Sequence, residues 1–290
     1  MDSSTTTASG PLPVPTATGQ QMILQPRRGF SALRLRELWR YRELGMFLVW
    51  RDLKVRFRQT GFGMAWAVLQ PLLLTAIFTI FLNRVGGVYS VGLPYAVFAL
   101  AGIVPWLLFS RALMTSSGSL VDNAHLIGKV YFPRLLLPLA TGSSYILDFV
   151  VSVGVLIVVL ALYGVVPTLA LVLAPLFAVW ALLVAIAFGI LLSAVNVRYR
   201  DVQFLLPFVL QLWLLATPIA YPADQIPAKW QTLMGLNPVT SVVLGFRWSV
   251  TGMSPPELGT VVVSLVVTVS VLLLGLVYFR RTERTFADVI

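Results

Sequence analysis

Long apolar segments recur along most of this chain, and they constrain its fold more than any other feature. An apolar α-helix needs roughly 20 residues to cross the hydrocarbon core of a bilayer, and six segments come near that length. They cover residues 64–82, 95–114, 135–163, 169–195, 202–220 and 258–279. Only 11% of the residues are charged, against about 25% in an ordinary soluble domain. The segments lack the alternation of outer-membrane strands, so we predict an all-α integral membrane fold with six transmembrane helices.

The chain divides into a tail, a basic region and a membrane domain. Residues 1–29 are rich in Ser, Thr, Pro, Ala and Gly without an apolar period, which predicts a disordered tail. We predict an amphipathic helical region at residues 30–60 and the six-span domain at residues 61–290. Eighteen of the Lys and Arg residues fall on one side of the predicted spans, and three on the other. The positive-inside rule then predicts that both termini are cytoplasmic.

The stretch RDLKVRFRQT, residues 51–60, is the most basic ten-residue stretch of the chain. Its alternation of basic and apolar residues is typical of a basic strand or of a nucleic-acid-binding edge. A longer window favours a helix, whose apolar side consists of Met46, Val49, Trp50, Leu53 and Phe57. The cations of the opposite side are Arg51, Lys54 and Arg58. We therefore predict a helix in the cytoplasmic membrane interface, with anionic lipid rather than nucleic acid as its partner.

The sequence offers few groups that could carry catalytic chemistry. Residues 128–129 lack the rest of a phosphate-binding loop, so the chain is not expected to hydrolyse ATP by itself. His125 is the only histidine and there is no cysteine, so we predict no metal site. Asp148 is the one acidic residue deep in a predicted span. Two readings of it stay open: a proton relay or substrate contact, or a neutral or hydrogen-bonded carboxyl paired with Ser144 or Ser152.

Two connections and one span carry local patterns. In residues 122–134, Asp122 or Asn123 could cap a short helix whose apolar residues form a docking surface, at Leu126, Ile127 and Val130. Residues 221–256 predict two short helices, 230–236 and 239–251, which are hinged at Asn237 and Pro238 and re-enter the outer leaflet. Small residues repeat along the fourth span, which predicts close packing with another helix; they are Ala181, Ala185, Gly189 and Ser193.

Five motifs carry a family resemblance. They occur in order, with apolar segments between them. They are RDLKVRFRQTGFGMAWAVLQP (51–71), HLIGKVYFPRLLLPL (125–139), NVRYRDV (196–202), TPIAYP (217–222) and LNPVTSVV (236–243). Each motif is short, but the ordered set resembles the permease subunit of type-2 ABC exporters. The similar group exports polysaccharides and polyol phosphates, and includes O-antigen, teichoic-acid and cell-wall galactan exporters.

The resemblance implies a transport subunit rather than an enzyme. In this family two permease copies form the channel, and two copies of a separate ATPase subunit bind MgATP and drive it. No cofactor is therefore expected in this chain. The implied substrate is a polysaccharide linked to polyprenyl diphosphate, which moves from the inner to the outer leaflet of the bacterial cytoplasmic membrane.

The resemblance and the chemistry of the side chains together suggest roles for particular residues. The implied coupling helix, which contacts the ATPase, includes Asn123, His125, Leu126, Ile127, Lys129 and Val130. The cations available to phosphate or lipid at the inner interface are Arg51, Lys54, Arg56, Arg58, Arg198 and Arg200. The aromatic rings available to stack on sugars in the channel are Trp66, Phe78, Trp106, Phe109 and Trp213. The implied outer gate includes Trp230, Asn237 and Pro238.

Two other functions stay open on the sequence. A permease of the same fold could export a drug or a small lipid, although the motifs at 51–60 and 196–201 favour polysaccharide. An integral-membrane glycosyl or prenyl transferase would require a cluster of metal-binding acids. The acids available to such a site stand far apart in the sequence, at Asp122, Asp201 and Asp224.

Overall fold

The computed structural model describes residues 35–58, 65–88, 90, 92–223, 226–227, 230, 232–283 and 286. Within these residues the chain is helical and contains no β-strand, which confirms the all-α fold. Residues from Arg36 onward belong to one compact unit. The predicted tail at 1–29 lies outside the described residues, so its disorder stays a prediction.

The described helices follow one another in a simple order. They are α1 (Leu35–Arg40), α2 (Arg42–Arg58), α3 (Ala65–Ile77), α4 (Tyr95–Asp122), α5 (Ala124–Ile127), α6 (Leu136–Ser143), α7 (Ile146–Leu162), α8 (Ala174–Arg198), α9 (Val202–Ala216), α10 (Pro238–Thr251) and α11 (Leu258–Thr282). A π-helical segment, Phe78–Val85, continues α3. Short 3-10 helices precede α8 and α10, at Leu169–Leu173 and Thr232–Leu236.

Five helical stretches among the described residues are long and apolar enough to cross a membrane, one fewer than predicted. They are Ala65–Val85, Tyr95–Asp122, Leu136–Leu162, Leu169–Arg198 and Leu258–Thr282. The predicted fifth span shortens to α9, whose 15 residues extend about 22 Å, against a hydrocarbon core of about 30 Å. The helix stops where Thr217 becomes extended, with φ −100° and ψ 136°. Pro218 explains this ending, because the residue before a proline avoids the helical conformation.

Two other predicted boundaries change. Helix α4 continues to Asp122, beyond residue 114, where the second predicted span ends. The third predicted span consists of two helices, α6 and α7, with a break at Ser144 and Tyr145. The Ser144 hydroxyl donates to the carbonyl of Thr141 at 2.7 Å. Such a local bond from a serine side chain competes with regular helical bonding and accounts for a break at this position.

Helix α4 lies at the centre of the fold. In its most apolar stretch 83% of the residues are buried, whereas the corresponding stretches of the other four candidate spans are 22–28% buried. Helices α3, α6, α7, α8 and α10 all pack against it, and α8 does so most extensively. The small residues of α8 are buried, which confirms their predicted packing role; they are Ala181, Ala185, Gly189 and Ser193. Among them, Gly189 lies directly against Ser116 of α4.

One end of the bundle is tied together by apolar side chains from distant parts of the sequence. The cluster includes Leu48 of α2, Leu120 of α4, Phe132, Val197 of α8 and Phe279 of α11. We call this the basic end, because the cations of α2, of the α4–α6 connection and of the last turns of α8 and α11 belong to the same elements. Helix α11 begins at the opposite end, about 37 Å away at 1.5 Å per residue.

Replacing Gly189 with alanine tests the contact between α4 and α8. The added methyl group would lie 2.3 Å from the Ser116 Oγ and 2.5 Å from its Cβ, so one helix must shift. We expect a loss of stability of about 1–3 kcal/mol, the usual cost of overpacking. The measurement is the midpoint of thermal unfolding in detergent, which should fall.

Gly154→Ala is the matched control for Gly189→Ala. A Cβ at Gly154 in α7 meets no described atom within 4 Å, and alanine has the higher helix propensity. This variant should therefore keep or raise the midpoint. Equal midpoints for the wild type and Gly189→Ala would contradict the close approach of α8 to α4.

Candidate functional site

Helix α2 contains the basic stretch at residues 51–58, which is helical rather than extended. One side of the helix packs against the bundle. Leu48 is buried, whereas Met46 and Trp50 of the predicted apolar side are exposed. Gly45 allows this packing, because the absence of a side chain lets α2 approach α6 so closely that a Cβ would lie 3.1 Å from Leu136 Cδ1. The position of α2 in a membrane interface stays a prediction, and the side chains of residues 57–58 lie outside the described part.

Three charged side chains meet where α2, α4 and α7 come together. The guanidinium groups of Arg56 and Arg111 each donate to Asp148 Oδ2, both at 3.2 Å. Arg56 also donates to the Ser144 hydroxyl at 2.9 Å, and its guanidinium carbon lies 3.7 Å from the centre of the Tyr145 ring. We call Arg56, Arg111 and Asp148 the Asp148 network. It joins α2 to α4 at the break between α6 and α7.

The Asp148 network contains two guanidinium groups and one carboxylate. The exposed fractions of its side chains are 7% for Asp148, 24% for Arg56 and 21% for Arg111. Asp148 Oδ1 accepts no hydrogen bond within the described ranges. Arg111 donates in addition to the neutral side chain of Gln70 in α3. An anion that reaches the exposed parts of both arginines therefore meets two guanidinium groups beside one carboxylate.

These contacts correct the predicted surroundings of Asp148. Its carboxyl is hydrogen bonded, as one reading held, but the donors are arginines and not the two serines. Ser144 accepts from Arg56, and Ser152 donates to the backbone carbonyls of Asp148 and Ala67. A role of Asp148 in proton relay or substrate contact stays a prediction.

The connection after α4 forms the predicted short helix, α5. Asn123 is its N-cap residue, but its side chain makes no capping bond. Instead Asn123 accepts from Arg51 of α2 at 2.8 Å and donates to the carbonyl of Ser119 at 2.9 Å. Arg51 also pairs with its neighbour Asp52 at 2.8 Å. Helix α2 is thus bonded to the α5 connection through Arg51 and to the core through Arg56.

The apolar residues predicted to form a docking surface separate into two groups. Leu126 and Ile127 are half-buried against the apolar cluster of the basic end. Val130 is 54% exposed, and its neighbour Tyr131 is 69% exposed. The exposed surface of the connection therefore consists of His125, Lys129, Val130 and Tyr131.

The other predicted cations lie apart from the Asp148 network. Lys54 is exposed on α2. Arg198 and Arg200 are exposed at the end of α8 and just after it, and Arg198 lies 5.5 Å from the ring centre of Tyr199. Among the cations predicted to contact phosphate, Arg56 is the one that donates to Asp148 within the described residues.

The predicted channel aromatics do not share one surface. Phe78, Trp106 and Phe109 are buried in the core of the single chain, and their role in a channel stays a prediction. The pattern of apolar residues could not distinguish a core ring from a channel ring. Trp66 of α3 is exposed. Trp213 of α9 is half-buried, with its ring edge-on to Phe109 at 5.0 Å between centroids.

Asn237 and Pro238 lie at the junction predicted as a hinge. Pro238 is the first residue of α10, and the Asn237 side chain accepts from the backbone N–H of Val239 at 3.1 Å. Asn237 also accepts from Trp213 Nε1 at 2.8 Å and donates to Thr217 Oγ1 at 2.9 Å. Asn237, the N-cap residue of α10, is thereby bonded to Trp213 of α9 and to Thr217, where α9 ends. Trp230, the third predicted gate residue, is exposed.

Sequence reasoning missed the contacts of two arginines that lie inside helices. Arg111 lies inside α4 and is partly buried, and Arg247 lies inside α10 with 2% of its surface exposed. The charge count had assigned both to a side of the membrane, although Arg111 lies within the predicted span 95–114. Each lies within an apolar run of the sequence, and a charge in such a run needs a partner. That signal was available, although it does not identify the partner.

Replacing Asp148 with asparagine tests the Asp148 network. The substitution removes the carboxylate that two partly buried guanidinium groups share, so we expect a loss of about 1.5–3 kcal/mol, the range for hydrogen bonds to charged groups. The loss is measured as a lower midpoint of thermal unfolding. Combined with Arg56→Gln, Asp148→Asn should cost less than the sum of the two single losses, because both remove the same contact.

Lys54→Gln is the control for this cycle, since Lys54 lies on the same helix but is exposed. Its effect should add independently to that of Asp148→Asn. Additive losses for Asp148→Asn and Arg56→Gln would show that the two side chains do not interact.

Comparison with known proteins bears on the family of this chain. A sequence profile described as "ABC-2 type transporter" matches residues 44–251. The O-antigen export system permease protein RfbA of Myxococcus xanthus is 31% identical over 215 residues, which cover 73% of this chain and 82% of that protein. A protein of the same name from Klebsiella pneumoniae is 33% identical over 199 residues, covering 68% and 76%. The polysialic acid transport protein KpsM of Escherichia coli is 26% identical over 207 residues, covering 67% and 75%.

The profile match begins in α2 and ends with the last residue of α10. It therefore contains the Asp148 network, the α5 connection and the Asn237 cap. The helical fold with several candidate spans agrees with a membrane-embedded permease. This chain is a multi-pass membrane protein and belongs to the ABC-2 type transporter permease family.

Proposed function

We propose that this chain forms the membrane channel of an ATP-driven exporter of lipid-linked polysaccharide. The cargo, carried on polyprenyl diphosphate, moves from the inner to the outer leaflet of the bacterial cytoplasmic membrane. The observation that carries the proposal is the alignment with O-antigen export permeases, which extends over two thirds or more of both chains. Two copies of the chain enclose the channel, and two copies of a separate ATPase subunit bind MgATP.

In this proposal the basic end faces the cytoplasm. The positive-inside rule supports that orientation, because most of the Lys and Arg residues belong to elements of this end. The ATPase then docks on the exposed residues of the α5 connection. Val130 and Tyr131 supply apolar area, and aromatic residues commonly dominate the energy of such contacts. A movement of the connection would reach α2 through the bond between Asn123 and Arg51.

The Asp148 network supports a diphosphate as the anionic part of the cargo. Arg56 and Arg111 share one carboxylate and remain partly exposed, so a phosphate group can approach both. Guanidinium groups suit phosphate because they donate two parallel hydrogen bonds with a fixed geometry. The proposed sequence of contacts is that the diphosphate binds both arginines and weakens their hold on Asp148. Lipid binding would then loosen α2 from the core.

Depletion of the protein in its host tests the proposed cargo. If the chain exports lipid-linked polysaccharide, polymer attached to polyprenyl diphosphate should accumulate inside the cell while polysaccharide at the surface declines. Both pools can be measured after lipid extraction and sugar analysis. Depleted cells with normal surface polysaccharide and no internal lipid-linked polymer would contradict the proposal, and expression of the wild-type chain should reverse the accumulation.

A double variant, Val130→Asp with Tyr131→Ala, tests the proposed docking of the ATPase. The change removes the exposed apolar surface of the connection, so we expect binding of the ATPase subunit to weaken at least about tenfold. ATP-driven transport should fall with it, while the amount of permease in the membrane stays the same. Binding and transport can be measured on the reconstituted complex.

Val166→Asp is the control for that variant. Val166 is more exposed than Val130 and Tyr131, and it lies between α7 and α8, at the other end of α7 from Asp148. It should bind the ATPase as the wild type does. Normal coupling in the Val130 and Tyr131 variant would show that the connection is not the docking element.

A further inference from the structure

A cavity of about 200 Å³ lies at the end of the bundle opposite the basic end. Its wall is formed by α10, by Phe98 of α4 and by the connection that leads into α11. The side chains used below are Phe98, Thr240, Arg247, Trp248, Met253 and Glu257. Pockets for drug-sized ligands measure about 300–1,000 Å³, so this cavity suits a single ring rather than an extended molecule.

Thr240 gives the cavity an unpaired hydroxyl. The residue is fully buried, and its Oγ1 has no hydrogen-bond partner within the described part of the chain. Other hydroxyls of α10 behave differently. Ser249 donates to the carbonyl of Phe246 at 2.7 Å, and Thr251 donates to that of Arg247 at 2.8 Å. A buried hydroxyl without a partner is unfavourable, so a molecule in the cavity that bonds to Thr240 gains that interaction.

Arg247 supplies further donors from a fixed position. Its guanidinium group donates to the carbonyls of Phe98, Pro218 and Ile219 at 3.2, 3.1 and 2.8 Å. The guanidinium carbon lies 3.7 Å from the centre of the Phe98 ring. These three bonds use three of the five N–H donors of an arginine. The remaining two belong to a group that is already held in place, so a ligand would not have to order it.

The opposite charge is present in the same cavity. Glu257 accepts long hydrogen bonds from Thr232 and Thr260, at 3.5 and 3.3 Å, and a carboxylate has room for more acceptor contacts. The rest of the wall is apolar and includes the ring of Trp248 and the side chain of Met253. The cavity thus combines donors, acceptors and a flat apolar surface within the volume of one ring.

We propose that this cavity binds one sugar ring of the exported polymer. Sugar hydroxyls both donate and accept, which matches Arg247, Thr240 and Glu257 together, whereas a simple anion would be repelled by the glutamate. The C–H face of a pyranose is apolar and can lie on an aromatic side chain such as Trp248. The inference rests on the proposed function, because it takes the sugar from the cargo. It adds a binding site on the side where the cargo leaves.

Saturation-transfer NMR on the complete transporter, reconstituted with its ATPase in nanodiscs free of glycolipid and glycoside detergent, tests the site. The probes are a panel of methyl hexosides and oligosaccharides cut from the surface polysaccharide of the host. We expect at least one probe to receive saturation and to be displaced by the others that bind. Thr240→Val and Glu257→Gln should each weaken its binding about three- to tenfold, since each removes one hydrogen-bonding group.

Ser249→Ala is the matched control, because it removes a buried hydroxyl of the same helix that is already paired and is not part of the cavity wall. It should bind the probes as the wild type does. The proposal is overturned if no probe binds, or if both cavity variants bind the probes as the wild type does. It is also overturned if added glycolipid vesicles displace a bound probe whereas the other sugar probes do not. If the sugar site fails this test while depletion of the protein still makes lipid-linked polymer accumulate inside the cell, the proposed export function stands. Only the sugar site is then removed.

Discussion

A carboxylate in an apolar interior is unfavourable unless counter-charges reach it, and the arrangement of helices around α4 depends on how Asp148 is paired. Its two partners come from sequence positions far apart, Arg56 on α2 and Arg111 on α4. The pairing joins α2 to α4 and α7 beside the break that precedes α7. Because the same helix bonds to the α5 connection through Arg51, α2 links the surface of the basic end to the membrane-embedded core.

Two sites in the fold stabilise arginine side chains in different ways. Around Asp148 an arginine pair shares one acid and stays partly exposed. At the end opposite the basic end, Arg247 is fully enclosed and is held by backbone carbonyls, while Asn237 satisfies the start of α10. In the proposed function the first arrangement receives a charged lipid and the second holds the outer segments in place. The two arrangements differ because Arg247 is fully buried, whereas Arg56 and Arg111 are partly exposed.

The sequence predicts the helical membrane fold well, because the length and apolarity of a segment determine whether it can cross a bilayer. It predicts pairings between helices poorly, since these depend on how each helix rotates. The close approach of α2 to α6 depends on Gly45, whose contribution is the absence of a side chain. Arg111 was visible as a charge in an apolar run, but its acid lies 37 residues away. Phe109 has the chemistry of a channel ring and is a core residue, which only the packing of α4 shows.

In the proposed function, this chain and an ATPase partner move lipid-linked polysaccharide across a membrane. The most direct measurement uses vesicles that contain the purified chain, its ATPase and a polyprenyl-diphosphate-linked glycan from the host. The ATPase sites face outward, and the glycan exposed on the outer surface is followed with a labelled lectin. If the chain exports the glycan, ATP with Mg²⁺ should lower the signal as glycan enters the lumen, and Arg56→Gln with Arg111→Gln should slow this loss of signal. An unchanged signal in vesicles whose ATPase is active would contradict the claim.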